Sequence, residues 1–254
     1  MKKYQLDLTV KACVQLSERA FQLVLTHPQP LPEMLPGQFV QIQAPDRSVM
    51  LRRPISIHDV DRDDNTLHLL VQRVGDGTRS LAAVREGDTL NVVLPLGNGF
   101  PICDGKRVLL AGGGIGIAPL LHLGRELVRH GCTVDFLLGG RTKTDILRLG
   151  CYKSIAPVHI TTEDGSLGEQ GFVTNHSVLS NKVFDTLMVC GPTPMMRAVA
   201  AWARKRQVDC YVSLENMMAC GLGACLCCVQ KDKDGHNRCV CKEGPVFNIN
   251  DLDF

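Results

Sequence analysis

A chain of 254 residues, 44% of them hydrophobic, can bury a sizeable core, enough for one large domain or for two domains and a small module. The formal net charge is only +2 and Lys and Arg are scattered, which argues against a nucleic-acid or anionic-membrane surface, since either needs clustered positive charge. The most apolar stretch, "VLLAGGGIGIAPLL", is too short for a bilayer and is broken by Gly and Pro, and "MKKYQLDLTV" lacks the apolar core of a signal peptide, so the chain reads as soluble and cytoplasmic.

Residues 1–101 read as short strands separated by turns: "YQLDLTVKACVQL", "AFQLVLTH", "QFVQIQAP", "RPISIHDV", "TLHLLVQRV" and "DTLNVVLPL". Many short strands with little helix predict an antiparallel β-barrel or sandwich. Two of its segments carry candidate chemistry. In "RRPISI", Arg53 can meet a phosphate and Ser56 can hydrogen-bond a ring nitrogen. In "VGDGTRSL", Gly75 and Gly77 let backbone approach closely, and Thr78 is placed to cap the helix "RSLAAVREG", a pattern that suits an anion. Each segment by itself is equally compatible with an edge strand or a plain turn.

From 102 to 212 the texture becomes strand, helix, strand, which predicts a doubly wound parallel α/β sheet. "RVLLAG", "TVDFLLGG", "PVHITTE", "TLMVCG" and "VDCYVSL" are the strands, and "TPMMRAVAAWARKR" is a helix. "APLLHLGRELVRHG" is a second helix, with Leu120, Leu123, Leu127 and Val128 on one side and Gly131 as its stop. "LLAGGGIGIAPLL" joins a strand to a helix but departs from G-x-G-x-x-G, with Ile117 in the third glycine place. Asp135, at the distance of the usual ribose ligand, falls inside a strand. Gly113, Gly114 and Gly116, the "EDGS" loop with Asp164 and Gly165, and Cys190 in "CGPTPMM" all fall at strand carboxyl ends, where such sheets bind nucleotides. Arg141 and Lys143 lie near another such end and can meet a 2′-phosphate or simply face solvent.

Residues 213–254 are short and rich in Cys and Gly, too small for a core without a metal or a neighbouring domain. Six of the twelve cysteines lie between Cys220 and Cys241. Cys220, Cys225 and Cys228 form C-x4-C-x2-C, the spacing of plant-type [2Fe-2S] sites, and Gly221 and Gly223 allow the wrapping such a site needs. Spacing leaves the fourth ligand open between Cys239 and Cys241. A structural zinc site, which usually shows paired C-x2-C units, is the competing reading.

Arg53-Pro54-Ile55-Ser56, "GGIGIAP" at 113–119 and "CGPTPM" at 190–195 together resemble the ferredoxin–NADP reductase superfamily. Its barrel binds FAD through R-x-Y-S/T, and its α/β domain carries G-G-x-G-x-A-P and C-G-P-x-x-M. Here Ile55 stands in the aromatic place. "LRRPISI", "VGDGTRSL", "MACGLGAC" and "CKEGPVF" are similar to one branch, the electron-transfer subunits of class 1B dihydroorotate dehydrogenase, over essentially the whole chain.

The resemblance implies a multi-domain α+β protein with an FAD barrel at 1–101, an NAD-binding α/β domain at 102–212 and a [2Fe-2S] module at 213–254. It implies cluster ligands Cys220, Cys225, Cys228 and Cys241. It places FAD contacts at Arg53, Pro54, Ile55 and Ser56, at Leu70, Val71 and Gln72, and at Gly77 with Thr78. Nicotinamide contacts fall on Gly113, Gly114, Gly116, Asp164, Gly165 and Cys190. Electrons would pass from the FMN of a separate catalytic subunit, through the cluster and FAD, to NAD+ during pyrimidine biosynthesis. The assembly would be a heterotetramer, with "QKDKDGHN" at 230–237 on the docking side. Two other readings compete: a subunit of the same superfamily serving a ferredoxin, sulfur or hydrogenase partner, and a zinc-stabilised binding module on a degenerate scaffold.

Overall fold

A computed structural model describes residues 2–253. The first six strands are β1 (Tyr4–Ser17), β2 (Ala20–Thr26), β3 (Phe39–Ile42), β4 (Arg53–Asp61), β5 (Thr66–Gln72) and β6 (Thr89–Leu96). They close into an antiparallel barrel in the order β1-β2-β5-β4-β3-β6. Alternation decides which side chains fill it: Leu8, Val10, Leu23, Leu25, Val40, Ile42, Ile57, Leu67 and Leu69 are buried in one cluster. Each such side chain contributes about 1.5–3 kcal/mol through burial.

A short helix, α1 (Asp76–Leu81), links β5 to β6. Its N-cap is Gly75, not Thr78, and it ends well before the "AVREG" that composition assigned to it. Thr78 lies inside the first turn, and its hydroxyl accepts from the Val74 and Gly75 N–H groups at 2.9 and 3.2 Å.

The second sheet is built from β7 (Arg107–Gly113), β8 (Thr133–Gly140), β9 (Val158–Thr162), β10 (Glu169–Gln170), β11 (Thr186–Cys190) and β12 (Asp209–Ser213). Its order is β10-β9-β8-β7-β11-β12, all parallel. Helices α2 (Leu120–Arg129), α3 (Leu149–Lys153), α4 (Val178–Asn181) and α5 (Thr193–Arg206) cover it. Two separate apolar clusters, one with α2 and one with α5, pack the two faces. Gly124 lets α2 sit against the Phe136 ring, where a β-carbon would collide. Val128, expected on the buried stripe, is exposed, so that stripe is narrower than its leucines suggest. α5 spans the whole of "TPMMRAVAAWARKR" and ends on Arg204, Lys205 and Arg206, which complement the negative end of the helix dipole.

The remaining residues form a hairpin of β13 (Val229–Lys231) and β14 (Asn237–Cys239), then α6 (Val240–Glu243) and β15 (Val246–Asn248). β15 does not stay with the cysteine-rich module: it pairs antiparallel with β12, Ser213 opposite Val246 and Tyr211 opposite Asn248, and becomes the edge of the second sheet. The module is also fastened to the barrel. Asn98 N–H donates to Gly244 O at 2.6 Å, and its Nδ2 donates to Glu243 O at 2.9 Å. No helix among the described residues is long and apolar enough to cross a membrane.

Candidate functional site

The barrel opens where β4 and β5 part. Their pairing runs from Asp61 opposite Thr66 to Ile57 opposite Leu69 and stops there. Beyond it, Arg53 to Ser56 pair only with β3, while Leu70 to Gln72 pair only with β2. The two segments are no longer paired with each other and end as separate stretches of barrel wall. Arg53, Pro54, Ile55 and Ser56 are all half-buried, whereas the neighbouring β3 is buried throughout. On the opposite wall Leu70 and Val71 turn their side chains into apolar clusters, so these two offer a ligand their backbone, and Gln72 is exposed. Ile55 packs on the barrel core.

At the mouth, the Arg53 side chain lies across Gly77, so close that a β-carbon at Gly77 would strike its Nε. The sequence places these residues 24 apart, and the fold brings them together at the turn that starts α1. A guanidinium over a side-chain-free turn is an arrangement that can hold an anion.

At the carboxyl ends of the second sheet, two of the sequence motifs meet. In register, Cys190 stands opposite Gly112 on one side and Ser213 on the other. A β-carbon on Gly116 would lie 2.5 Å from Gly191 Cα, and one on Gly113 would lie 2.5 Å from Met195 Sδ. The "GGIG" and "CGP" turns therefore touch, and at the Gly116 contact, backbone against backbone, only glycine fits. Gly114, at φ +56°, faces open space. Ile117 and Ala118 are anchored from behind: Tyr152 Oη donates to Ile117 O at 2.8 Å, and His58 Nδ1 to Ala118 O at 2.7 Å. The Asp164 carboxylate is occupied within its own loop, accepting from Ser166 N and Oγ at 3.0 and 2.6 Å, next to Gly165 at φ +71°. Asp135 is buried against His159 and Lys182, at 2.7 and 2.5 Å, and is no ribose ligand.

The Cys190 thiol is buried, and burial, aided by the nearby Glu215 carboxylate and opposed by Ser213, holds its pKa well above the usual thiol range. It is a neutral packing group at physiological pH, not a thiolate nucleophile. Glu215 went unremarked in the sequence. The signal that could have found it is its place just past the end of β12, where strand ends host ligands.

The cysteine loop is shaped by left-handed backbone at Gly221 (φ +67°), Gly223 (φ +83°) and Leu226 (φ +57°). Such wrapping turns backbone N–H groups toward sulfur, and Leu222 N–H donates to Cys220 Sγ at 3.3 Å. Burial works to raise the Cys220 pKa, but donors from Leu222, Cys225 and Ala224 outweigh it and bring it to about 6. That favours the thiolate that binds metal. Cys225 and Cys227 are exposed. Cys228, Cys239 and Cys241 are buried, with sulfurs all within 4.8 Å of one another, and Cys241 N–H donates to Cys228 Sγ at 3.3 Å. The fold thus brings both candidate fourth cysteines to Cys228. An all-thiol donor set on a glycine-wrapped loop fits an iron–sulfur cluster. The carboxylate of Asp232 in the adjacent hairpin is taken up by Asp234 N, His236 N and Arg238 Nε at 3.0, 2.8 and 3.0 Å, and so shapes the turn.

Comparison with known proteins matches two stretches of the chain. Residues 5–100 match the oxidoreductase FAD-binding domain family, and residues 215–253 match the iron–sulfur cluster binding domain of dihydroorotate dehydrogenase B. A protein of Shouchella clausii named dihydroorotate dehydrogenase B (NAD(+)), electron transfer subunit, is 39% identical over 99% of both chains. Its counterpart in Listeria monocytogenes is 38% identical over 98% of both. Among solved structures, a chain from work on the NADH-dependent reduced ferredoxin-NADP oxidoreductase superposes with a TM-score of 0.88 at 31% identity, covering 97% of this chain and 89% of that one.

Proposed function

We propose residue roles from one premise: this chain belongs to the family of dihydroorotate dehydrogenase B electron transfer subunits. It is an oxidoreductase subunit with FAD and [2Fe-2S] sites that relays electrons from a catalytic partner subunit to NAD+. When bound, FAD exchanges electrons in pairs with a nicotinamide and singly with a [2Fe-2S] cluster, which is the chemistry such a relay needs.

We assign residues 1–101 to FAD, 102–212 to NAD and 213–254 to the cluster. Arg53 neutralises the FAD pyrophosphate, with Gly77 and Thr78 donating N–H groups beside it. Pro54, Ile55 and Ser56 on one wall and Leu70, Val71 and Gln72 on the other hold the ring system, Ser56 hydrogen-bonding at its edge. The touching turns at Gly113, Gly114, Gly116 and Cys190 seat the nicotinamide end, and Asp164 with Gly165 borders the nucleotide. Cys220, Cys225, Cys228 and Cys241 bind the irons, leaving Cys239 as a packing thiol.

The observation that carries this reading is a shared wall. The cysteine loop rests at Gly221 on Gln41 of β3, and β3 is paired with the β4 segment assigned to FAD. The cysteine loop and the proposed flavin wall therefore belong to one pair of strands. The loop also presents exposed apolar Met217, Leu222 and Leu226, a face suited to the catalytic subunit. This face supports docking beside the cluster, next to the 230–237 turn. We assign the assembly as two copies of each subunit, in the cytoplasm.

The 31% likeness to the ferredoxin-linked oxidoreductase chain favours a second reading, the same cofactors serving a ferredoxin partner. Anaerobic affinity purification from the native cell separates the two. Copurification with an FMN-containing dihydroorotate oxidiser supports the first reading. A ferredoxin-linked or hydrogenase subunit in its place overturns it.

A further inference from the structure

Gln41 lies in the middle of β3, fully buried, and among the described residues neither its Nε2 nor its Oε1 has a hydrogen-bond partner. An unpaired buried polar group is costly, so such a side chain marks a place where something else completes its bonding. The barrel interior is not that place. Val40 and Ile42 on either side point into the barrel core, so alternation turns Gln41 outward, on the face it shares with its register partner Pro54. What covers it there is the cysteine loop. A β-carbon on Gly221 would meet Gln41 Cγ at 2.9 Å and Nε2 at 3.0 Å, so the amide lies against the residue that follows Cys220. Gly221 is itself held at φ +67°. Two independent constraints, steric and torsional, therefore require glycine where the amide reaches the loop.

Sulfur in a thiolate or bridging sulfide accepts hydrogen bonds and donates none, and the Gln41 amide brings two N–H donors to a loop whose purpose is to present sulfur. We infer that Gln41, from the flavin barrel, donates an N–H to a sulfur of the cluster held by this loop and thereby raises its reduction potential. The inference rests on the cluster reading above. The physical reason is that a donor at sulfur draws off negative charge, which favours the reduced and more negative state, and outer-shell hydrogen bonds set cluster potentials in this way. It also gives the barrel a part in the energetics of the cluster as well as in its position.

The test uses the full chain, prepared anaerobically, as wild type and as Gln41→Met, which keeps the length and removes both donors. Redox titration followed by EPR should shift the one-electron equilibrium about tenfold toward the oxidised cluster, 59 mV, with FAD content and FAD midpoint unchanged. A wild-type chain that holds FAD but no iron overturns the cluster reading and this inference with it. An intact cluster whose midpoint moves by less than twofold in the variant overturns the inference alone. If Gln41→Met does not assemble, pulsed EPR of wild-type protein carrying 15N in its glutamine side-chain amides reads the contact directly. A nitrogen coupling to the reduced cluster supports the bond, and its absence overturns it.

Discussion

Replacing Gly116 by Ala tests whether the meeting of the two glycine turns organises nucleotide chemistry. The new β-carbon would lie 2.5 Å from Gly191 Cα, 2.6 Å from Gly191 N and 2.6 Å from Cys190 O. All three are backbone atoms at the end of a central strand, so no side chain can swing away, and the turns must separate by about 1 Å to reach ordinary contact. Overpacking of this kind costs about 1–3 kcal/mol. At about 2–4 °C per kcal/mol for a chain of this size, melting should fall by roughly 2–12 °C. A displacement of about 1 Å in a positioning element can cost about a hundredfold in rate. Anaerobic stopped-flow reduction of the flavin by NADH should therefore slow by about tenfold to a hundredfold. Gly131→Ala is the control. Gly131 has φ +73°, open space around it and a place at the far end of α2, so alanine there would carry about 1–2 kcal/mol of backbone strain with no steric push. It should lower melting comparably and leave flavin reduction at the wild-type rate. Equal slowing in both variants, or none in Gly116→Ala, would refute the view that this contact positions the nicotinamide.

Three other outcomes are expected. Cys241→Ser should abolish stable iron binding and the cluster absorption, whereas Cys239→Ser should retain both; iron and sulfide analysis of the two reverses the ligand assignment if the outcomes are exchanged. Arg53→Ala should weaken FAD by roughly ten- to a hundredfold, the range of one charge-assisted hydrogen bond of about 1.5–3 kcal/mol, and flavin titration of the deflavinated chain measures it. His58 is buried and its pKa is lowered from 6.5 to about 4, by desolvation first, against its bond to Ala118. Its unfolded form therefore binds a proton at higher pH than its folded form. The resulting stability is complete above pH 6.5 and is lost as pH falls toward 4, about 3 kcal/mol in all. His68, His122 and His176 are lowered in the same direction by burial, so urea melts at pH 7.5 and 5 should show a larger loss in the wild type than in His58→Gln; equal pH sensitivity in both proteins would remove His58 as a cause.

Much of this architecture was legible because long elements carry their own period and boundaries. "TPMMRAVAAWARKR" reads as α5 from end to end, since proline marks its start and a basic last turn its finish. The six barrel strands announce themselves by alternation and turn residues. What stayed hidden depends on distant partners. β15 is three residues long, too short for a pattern, and is a strand only because β12 lies beside it. Spacing left Cys239 and Cys241 undecided for a related reason: the hairpin and α6 carry both thiols to Cys228. Gln41 reads as an ordinary outward position in "FVQIQ", and its covering loop lies some 180 residues further on. Thr78 looked like a cap because Thr caps helices often, but the extended backbone at Gly75 starts the helix earlier.

The pairing of β12 with β15 means that the segment from 214 to 245 leaves the sheet and returns to the strand next to its point of departure. Topologically it is an overgrown hairpin tip with its two ends already clasped. Closing a loop is an entropic cost that the clasp meets in advance, so iron need only order the tip and not recapture a loose tail. A chelator should then unravel the tip while the clasp and the reductase body behind it persist, and iron and sulfide returned later would meet a loop whose two ends are still held together.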